Sequence, residues 1–361
     1  MGQPVSLVTG ACGFIGSHVV EVLVEAGHNV RATDLAEAYE RDDLKKGRFP
    51  SVLHALDVEF VPSDMRAPAT LEPVLEGVDY VFHVASVFSY SAPRSLLHAV
   101  NVEGTRALVD LLLDEERASR LERLVLWGAG GIYGLPSPYD LPLREDTPPA
   151  PSNNYLKSKW EQEWLVIEAG RKHGLPFSTI RPTGVYGPRA VYGGGQMIME
   201  PAKMKVIAVP SSFTGRIPFV HVRDVARAAL HVALDERALG EAFNVSDDSL
   251  MSMVDFLKAV AEITGARFVK LPPIPVALVR PLLLGAANAA ALFSQHVTHT
   301  PPALEADSVS YFGYDFVYSN AKLKRLGFEF LYPDAREGIE ETIAWYREQG
   351  WLEGGGPQGG L

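Results

Sequence analysis

A chain of 361 residues with 47% apolar and 21% charged side chains has the make-up of an ordinary folded protein, long enough for one large α/β unit with a second lobe. The net charge of −11 comes without a Lys/Arg cluster, which argues against nucleic acid and against an anionic membrane surface as partners. Cys12 is the single cysteine, so an internal disulfide is excluded, a cysteine-based zinc site is out of reach, no metal is expected, and a reducing, cytoplasmic setting fits.

In chain order, a strand is expected from Val5 to Thr9, running directly into glycines at 10, 13 and 16. A parallel-sheet strand that breaks into spaced glycines and re-enters as a helix makes a nest for a diphosphate. Gly10 permits the tight turn, Gly13 lets the backbone approach the pyrophosphate, and Gly16 lets the helix lie close to the strand; Phe14 and Ile15 open that helix. Ile15, Val19, Val22, Leu23 and Ala26 form its apolar face, and Gly27 ends it. A second strand, 29–33, leads to Asp34, whose carboxylate can accept both ribose hydroxyls of an adenosine and would repel a 2′-phosphate. NAD(H) rather than NADP(H) is therefore the expected cofactor.

Further strands are expected at 59–62 and 78–85, a helical turn at 71–75, a helix over 101–116, and a strand at 124–127 that runs into Gly128–Gly131. This cadence predicts a Rossmann-type doubly wound parallel sheet. Residues 135–152 are proline-rich and read as a loop across a site, after which Asn153 or Asn154 caps a helix beginning near Tyr155. A strand at 177–181 ends at Pro182; irregular chain follows, with Gly193–Gly195 as a flexible spot, and order returns at Ile217. These breaks predict a cofactor domain of residues 1–182 plus about 217–246, a smaller, mostly helical substrate lobe of 183–216 plus 247–353, and a flexible tail, 354–361. The most apolar stretch, 276–293, contains Arg280, Pro281 and Gly285 and falls short of a membrane-spanning helix.

Tyr155 and Lys159 lie four residues apart on one helical face, where the ammonium would favour the phenolate and bring the tyrosine towards neutrality. Together with Thr9–Gly16 and the run Arg181-Pro-Thr-Gly-Val-Tyr-Gly-Pro188, this pair resembles the extended short-chain dehydrogenase/reductases, the NAD-dependent epimerase/dehydratase superfamily, over nearly the whole chain. The likeness extends to Asp64-Met65, Phe82-His-Val-Ala85, Asn101, Phe219–Asp224 and Ser319–Lys322. It implies that Asp64 and Met65 meet the adenine and that Val84, Ala85, Ser86 and Asn101 stand beside the cofactor. It further implies that Tyr155 is the acid/base, that Lys159 holds the nicotinamide ribose, and that Pro182, Thr183 and Val185 position the nicotinamide. A homodimer would form through helices 101–116 and 155–169, where Trp160, Trp164 and Ile167 make an apolar stripe.

The chain departs from this pattern at one catalytic position. The family's Ser or Thr, hydrogen-bonded to the substrate oxygen, falls on Ala129. Candidate replacements are Ser86, Ser89, Tyr133 or a group on the substrate. Nucleotide-sugar members usually carry an Asn and an Arg at positions that are here Gly184 and Ile217, with Arg216 one place away. The apolar stretch 271–293 resembles instead the 3β-hydroxysteroid dehydrogenase-like branch. The expected function is interconversion of a secondary alcohol and a ketone on an apolar small molecule, sterol-like, terpenoid, polyketide or long-chain. The alternatives are an epimerase, isomerase or dehydratase with transient hydride transfer, and a catalytically impaired NAD(H)-binding protein.

Overall fold

The computed structural model describes residues 2–56, 58–293, 309, 311 and 313–352; the expected tail, 354–361, lies outside them. Eleven strands occur among these residues: β1 Val5–Thr9, β2 Asn29–Thr33, β3 Glu59–Phe60, β4 Tyr80–His83, β5 Arg123–Trp127, β6 Phe177–Pro182, β7 Gly184–Tyr186, β8 Val206–Pro210, β9 Phe219–His221, β10 Ala242–Val245 and β11 Arg267–Leu271. Seven of them form one parallel sheet in the order β10-β6-β5-β4-β1-β2-β3. The chain starts at β1, winds outward through β2 and β3, then returns to pair β4 on the other side of β1. The resulting crevice, between the ends of β1 and β4, is the topological switch point at which such sheets bind ligands.

β5 is buried at every residue, as a strand covered on both faces must be. One face is covered by α1 (Phe14–Glu25) and a helix at Val222–Leu234, through Val19, Val20, Leu23, Val225 and Ala229. α2 (Gly104–Leu112) and α3 (Asn154–His173) cover the other, through Leu108, Val109 and Val166. A separate cluster, Ile198, Ile207, Phe256, Val260, Ile339, Ile343 and Tyr346, holds the C-terminal helices together.

Several local expectations are corrected. The helix expected over 101–116 is a wide turn at His98–Glu103, then α2, then a short helix at Glu115–Arg120. Asp114 breaks it by accepting from the Glu116 amide at 3.2 Å, a capping bond incompatible with a helix interior. β4 stops at His83, two residues short of the expected strand, and Ala26 is exposed beyond the end of α1. The segment read as irregular after Pro182 contains β7, a helix at Gly194–Ala202 and β8. β7 pairs with β9, and β8 with β11, so these short strands exist because of partners remote in sequence. The apolar stretch forms a helix at Val276–Phe293; Val276 and Val279 pack on Phe213 and Val254 while Leu278 and Leu282 stay exposed.

Candidate active site

The glycine turn after β1 has the shape a dinucleotide needs. Gly10 has φ +67°, and a Cβ there would stand 2.9 Å from the Ala85 Cα, so the turn lies directly against the segment after β4. A Cβ on Gly16 would come within 2.0 Å of the Gly10 carbonyl oxygen, which excludes any side chain where α1 crosses the strand end. Among the described residues no side chain caps the N-terminus of α1 at Gly13, so the helix presents bare amides and the positive end of its dipole.

At the end of β2, Asp34 accepts from the Cys12 amide at 3.1 Å and from the Leu35 amide at 2.8 Å. Burial raises its carboxyl above the usual range, against those two amides and Arg48. Asp64 is held by the Arg66 guanidinium, at 3.0 and 2.6 Å, which keeps it below the usual carboxylate range. Met65 is buried against Gly104, where a Cβ would approach the Met65 Cβ to 2.7 Å.

Asn153 caps α3, its side chain accepting from the Leu156 amide at 2.9 Å, and this fixes the helix that carries Tyr155 and Lys159. Both side chains are buried. Lys159 Nζ donates to Gln162 Oε1 at 2.6 Å, and burial lowers its pKa to about 7, opposed by the Glu163 carboxylate. The expected depression of the Tyr155 phenol is not found: burial pushes it up, and the Lys159 ammonium is turned to Gln162. Burial thus favours the protonated phenol, the form that can donate to a carbonyl oxygen.

Gln162 opens a relay that the sequence reading did not include. Its amide donates to Thr105 Oγ1 at 2.8 Å, and Thr105 Oγ1 donates to the Asn101 carbonyl at 2.7 Å. Thr9 Oγ1 accepts from the amides of Val84 and Ala85, both at 3.1 Å, so its proton goes to His83 Nδ1 at 2.9 Å. His83 must then carry its proton on Nε2, facing Thr105 Oγ1 at 2.8 Å, and burial lowers its pKa to about 3, which keeps it neutral. The one sequence signal for this relay was Gln162 at i+3 from Lys159.

Asn101 ties the loop after β4 to the catalytic helix. It accepts from the Val87 amide at 2.8 Å and donates to Ser158 Oγ at 3.0 Å, while Ser158 donates to the Tyr155 carbonyl at 2.7 Å. This brings Phe88 edge-on to the Tyr155 ring at 5.0 Å, with Tyr90 at 5.8 Å. Ala129 belongs to the same packed cluster as Tyr155, with Val87 against it. Thr183 donates from its amide to the Val245 carbonyl at 3.1 Å, and Val185 pairs with Val220, so the turn after Pro182 is held by β10 and β9.

The candidate hydroxyls divide clearly. Tyr133 donates to Asn244 Oδ1 at 2.8 Å and accepts from Arg181 at 2.7 Å, within a buried network in which Arg181 also pairs with Glu163. Its hydroxyl is committed there, and burial raises its pKa to about 12. Ser89 is bonded to Ser91 at 3.1 Å. Ser86 Oγ is buried and has no hydrogen-bond partner among the described residues.

The glycine turn, the bare helix terminus and Asp34 fit a bound dinucleotide. Comparisons with known proteins agree. The model of the NAD-dependent epimerase/dehydratase family matches residues 6–246. The chain is 28% identical to the mouse "Sterol-4-alpha-carboxylate 3-dehydrogenase, decarboxylating" over 72% of its own length and 68% of that protein's. It is also 28% identical to the "Sterol demethylase protein B" of Methylococcus capsulatus, over 96% of this chain and 99% of that one. The fold matches the UDP-glucose 4-epimerase of Thermus thermophilus in complex with NAD, with a TM-score of 0.69 at 24% identity, covering 95% and 99% of the two chains. No helix among the described residues is long and apolar enough to cross a membrane. The chain belongs to the NAD-dependent epimerase/dehydratase family and is an NAD-dependent enzyme of the oxidoreductase type.

Proposed function

We propose that this enzyme interconverts a secondary alcohol and a ketone on a mostly apolar, sterol-like small molecule. The carrying observation is the state of Arg216, one residue in sequence from the position, here Ile217, where nucleotide-sugar members usually carry an arginine. Its backbone amide and Nε both donate to Asp315 Oδ1, at 2.9 and 2.7 Å, and its terminal nitrogen binds the other Asp315 oxygen. A bidentate guanidinium–carboxylate pair is strong and leaves little for a substrate anion. Around Tyr155 the walls are Phe88, Tyr90, Leu97 and Phe316, which suit an apolar body. The sterol-related names of the two relatives support the same reading.

In this mechanism Tyr155 gives its proton to the carbonyl oxygen; in the oxidative direction the phenol first releases its proton to solvent and the resulting phenolate takes the hydroxyl proton. Lys159 holds the ribose, and Pro182, Thr183 and Val185 orient the nicotinamide. NAD(H) supplies the hydride acceptor or donor. Residues 1–182 with 217–246 hold the cofactor in this reading, and the C-terminal helices form the substrate lobe. The protein acts as a homodimer through α2 and α3: Trp160 packs on the Tyr155 cluster and Ile167 on the core, but Trp164 is left 43% exposed.

The test is net NADH formation from NAD⁺ with cholesterol, menthol and UDP-glucose in parallel. Cholesterol or menthol should produce NADH and UDP-glucose should not. Conversion of UDP-glucose without net NADH would instead support an epimerase. Cofactor binding with no turnover of any of them would support a binding-only protein, the alternative that Ala129 keeps open.

A further inference from the structure

We propose that the Ser86 hydroxyl supplies the hydrogen bond to the substrate oxygen that Ala129 cannot make. The inference rests on the alcohol–ketone reading above. A developing oxyanion needs a donor, and losing one typically costs 10²–10³ in turnover. Ala129 occupies the cluster around Tyr155 with a methyl group alone, so the donor must come from another element.

Ser86 carries a buried hydroxyl, unpartnered among the described residues, on the loop between the Gly10 turn and the cluster of Ala129 and Tyr155. The residue before it, Ala85, abuts the Gly10 turn, and its amide is held by Thr9 Oγ1 at 3.1 Å. The residue after it, Val87, is clamped by Asn101 at both its amide (2.8 Å) and its carbonyl (3.3 Å) and packs on the cluster of Ala129 and Tyr155. Phe88 then meets the Tyr155 ring. Ser86 is thus pinned between the glycine turn and the acid/base, the span in which a nicotinamide and a substrate oxygen must meet. A buried hydroxyl left unbonded is costly, so an unpartnered one at a binding crevice points to a ligand contact.

Tyr133, Ser89, Tyr318 and Thr183 are turned elsewhere. Tyr133 serves Asn244 and Arg181, Ser89 serves Ser91, Tyr318 donates to the Gly130 carbonyl at 3.1 Å, and Thr183 Oγ1 faces the Val245 carbonyl. Thr179 Oγ1 is also unpartnered, but it lines a separate cleft with Gly170, Arg171 and Glu241. Asn101 acquires a purpose in this arrangement as the positioning residue that sets the loop carrying Ser86 against the helix carrying Tyr155.

The experiment is a two-position swap, read as kcat for cholesterol oxidation and as the NADH dissociation constant from fluorescence. Ser86→Ala should lower kcat by about 10²–10³ while the NADH constant stays within about twofold. Ser86→Thr, which keeps a hydroxyl, should retain kcat within about tenfold. Ala129→Ser should change the wild type by less than about tenfold, yet raise kcat of the Ser86→Ala variant at least about tenfold, because the family's usual hydroxyl then fills the missing role. Three outcomes overturn the assignment: Ser86→Ala keeps kcat within about threefold, it weakens NADH by the same factor as kcat, or Ala129→Ser fails to rescue it. The second would make Ser86 a cofactor contact. A wild type inert toward both cholesterol and menthol would sink this assignment and the alcohol–ketone reading together, whereas an active wild type indifferent to Ser86→Ala sinks the assignment alone.

Discussion

Cofactor choice turns on Asp34, and the structure allows its size to be worked out. The carboxylate is fixed at the end of β2 by the Cys12 and Leu35 amides, so it cannot swing away from a 2′-phosphate. Unit charges about 4 Å apart at an effective dielectric of about 20 interact by about 4 kcal/mol. Arg48 stands close enough to pull the Asp34 carboxyl down and would partly offset the repulsion. A net penalty of about 2–4 kcal/mol remains, and NADH should bind roughly 30- to 1000-fold tighter than NADPH. Asp34→Asn keeps the shape and one amide acceptor bond, costs about 1 kcal/mol of stability, and should narrow the ratio to within about fivefold. The pH dependence has a definite sign. Burial raises the carboxyl pKa, so lowering the pH through that raised value neutralises Asp34 and lets NADPH gain on NADH. Paired fluorescence titrations of NADH and NADPH measure all three effects. Equal wild-type affinities, or a ratio that Asp34→Asn leaves unchanged, would refute the reasoning.

Three further outcomes are expected. Tyr155→Phe should cost turnover 10²-fold or more and leave the NADH dissociation constant within about twofold, whereas Lys159→Ala should harm both; steady-state kinetics with cofactor titration separates them, and a Phe variant at wild-type rate places the proton donor elsewhere. Glu163→Leu should destabilise the fold by about 3–5 kcal/mol, because it strands the Arg181 guanidinium in a buried site; a denaturant melt showing under about 1 kcal/mol would contradict the network. Light scattering should give a dimer that Trp164→Asp weakens, and a wild-type monomer would remove the proposed α2/α3 interface.

The sequence by itself determined the elements whose signals are local. Gly10, Gly13 and Gly16 are legible because only glycine tolerates the positive φ at Gly10 and the 2.0 Å approach at Gly16. α1 announces itself by helical periodicity, the buried strands by their apolar runs, and Tyr155 and Lys159 by a spacing that any helix places on one face. The departure at Ala129 was equally visible, since it needs only a motif and a missing hydroxyl. Tertiary structure decided everything that depends on groups meeting across the sheet. β7, β8 and β11 carry no local pattern that declares them and exist through remote pairing with β9 or with each other. The Lys159–Gln162–Thr105–His83–Thr9 relay joins α3, α2, β4 and β1, whose residues share no sequence neighbourhood. Spacing placed Lys159 on the same helical face as the Tyr155 phenol, but burial moved the phenol's pKa up, and Lys159 is bonded to Gln162. Which hydroxyl is free was likewise settled by packing: a serine's type is written in the chain, but whether its proton already has an acceptor depends on what folding brings within about 3 Å of it.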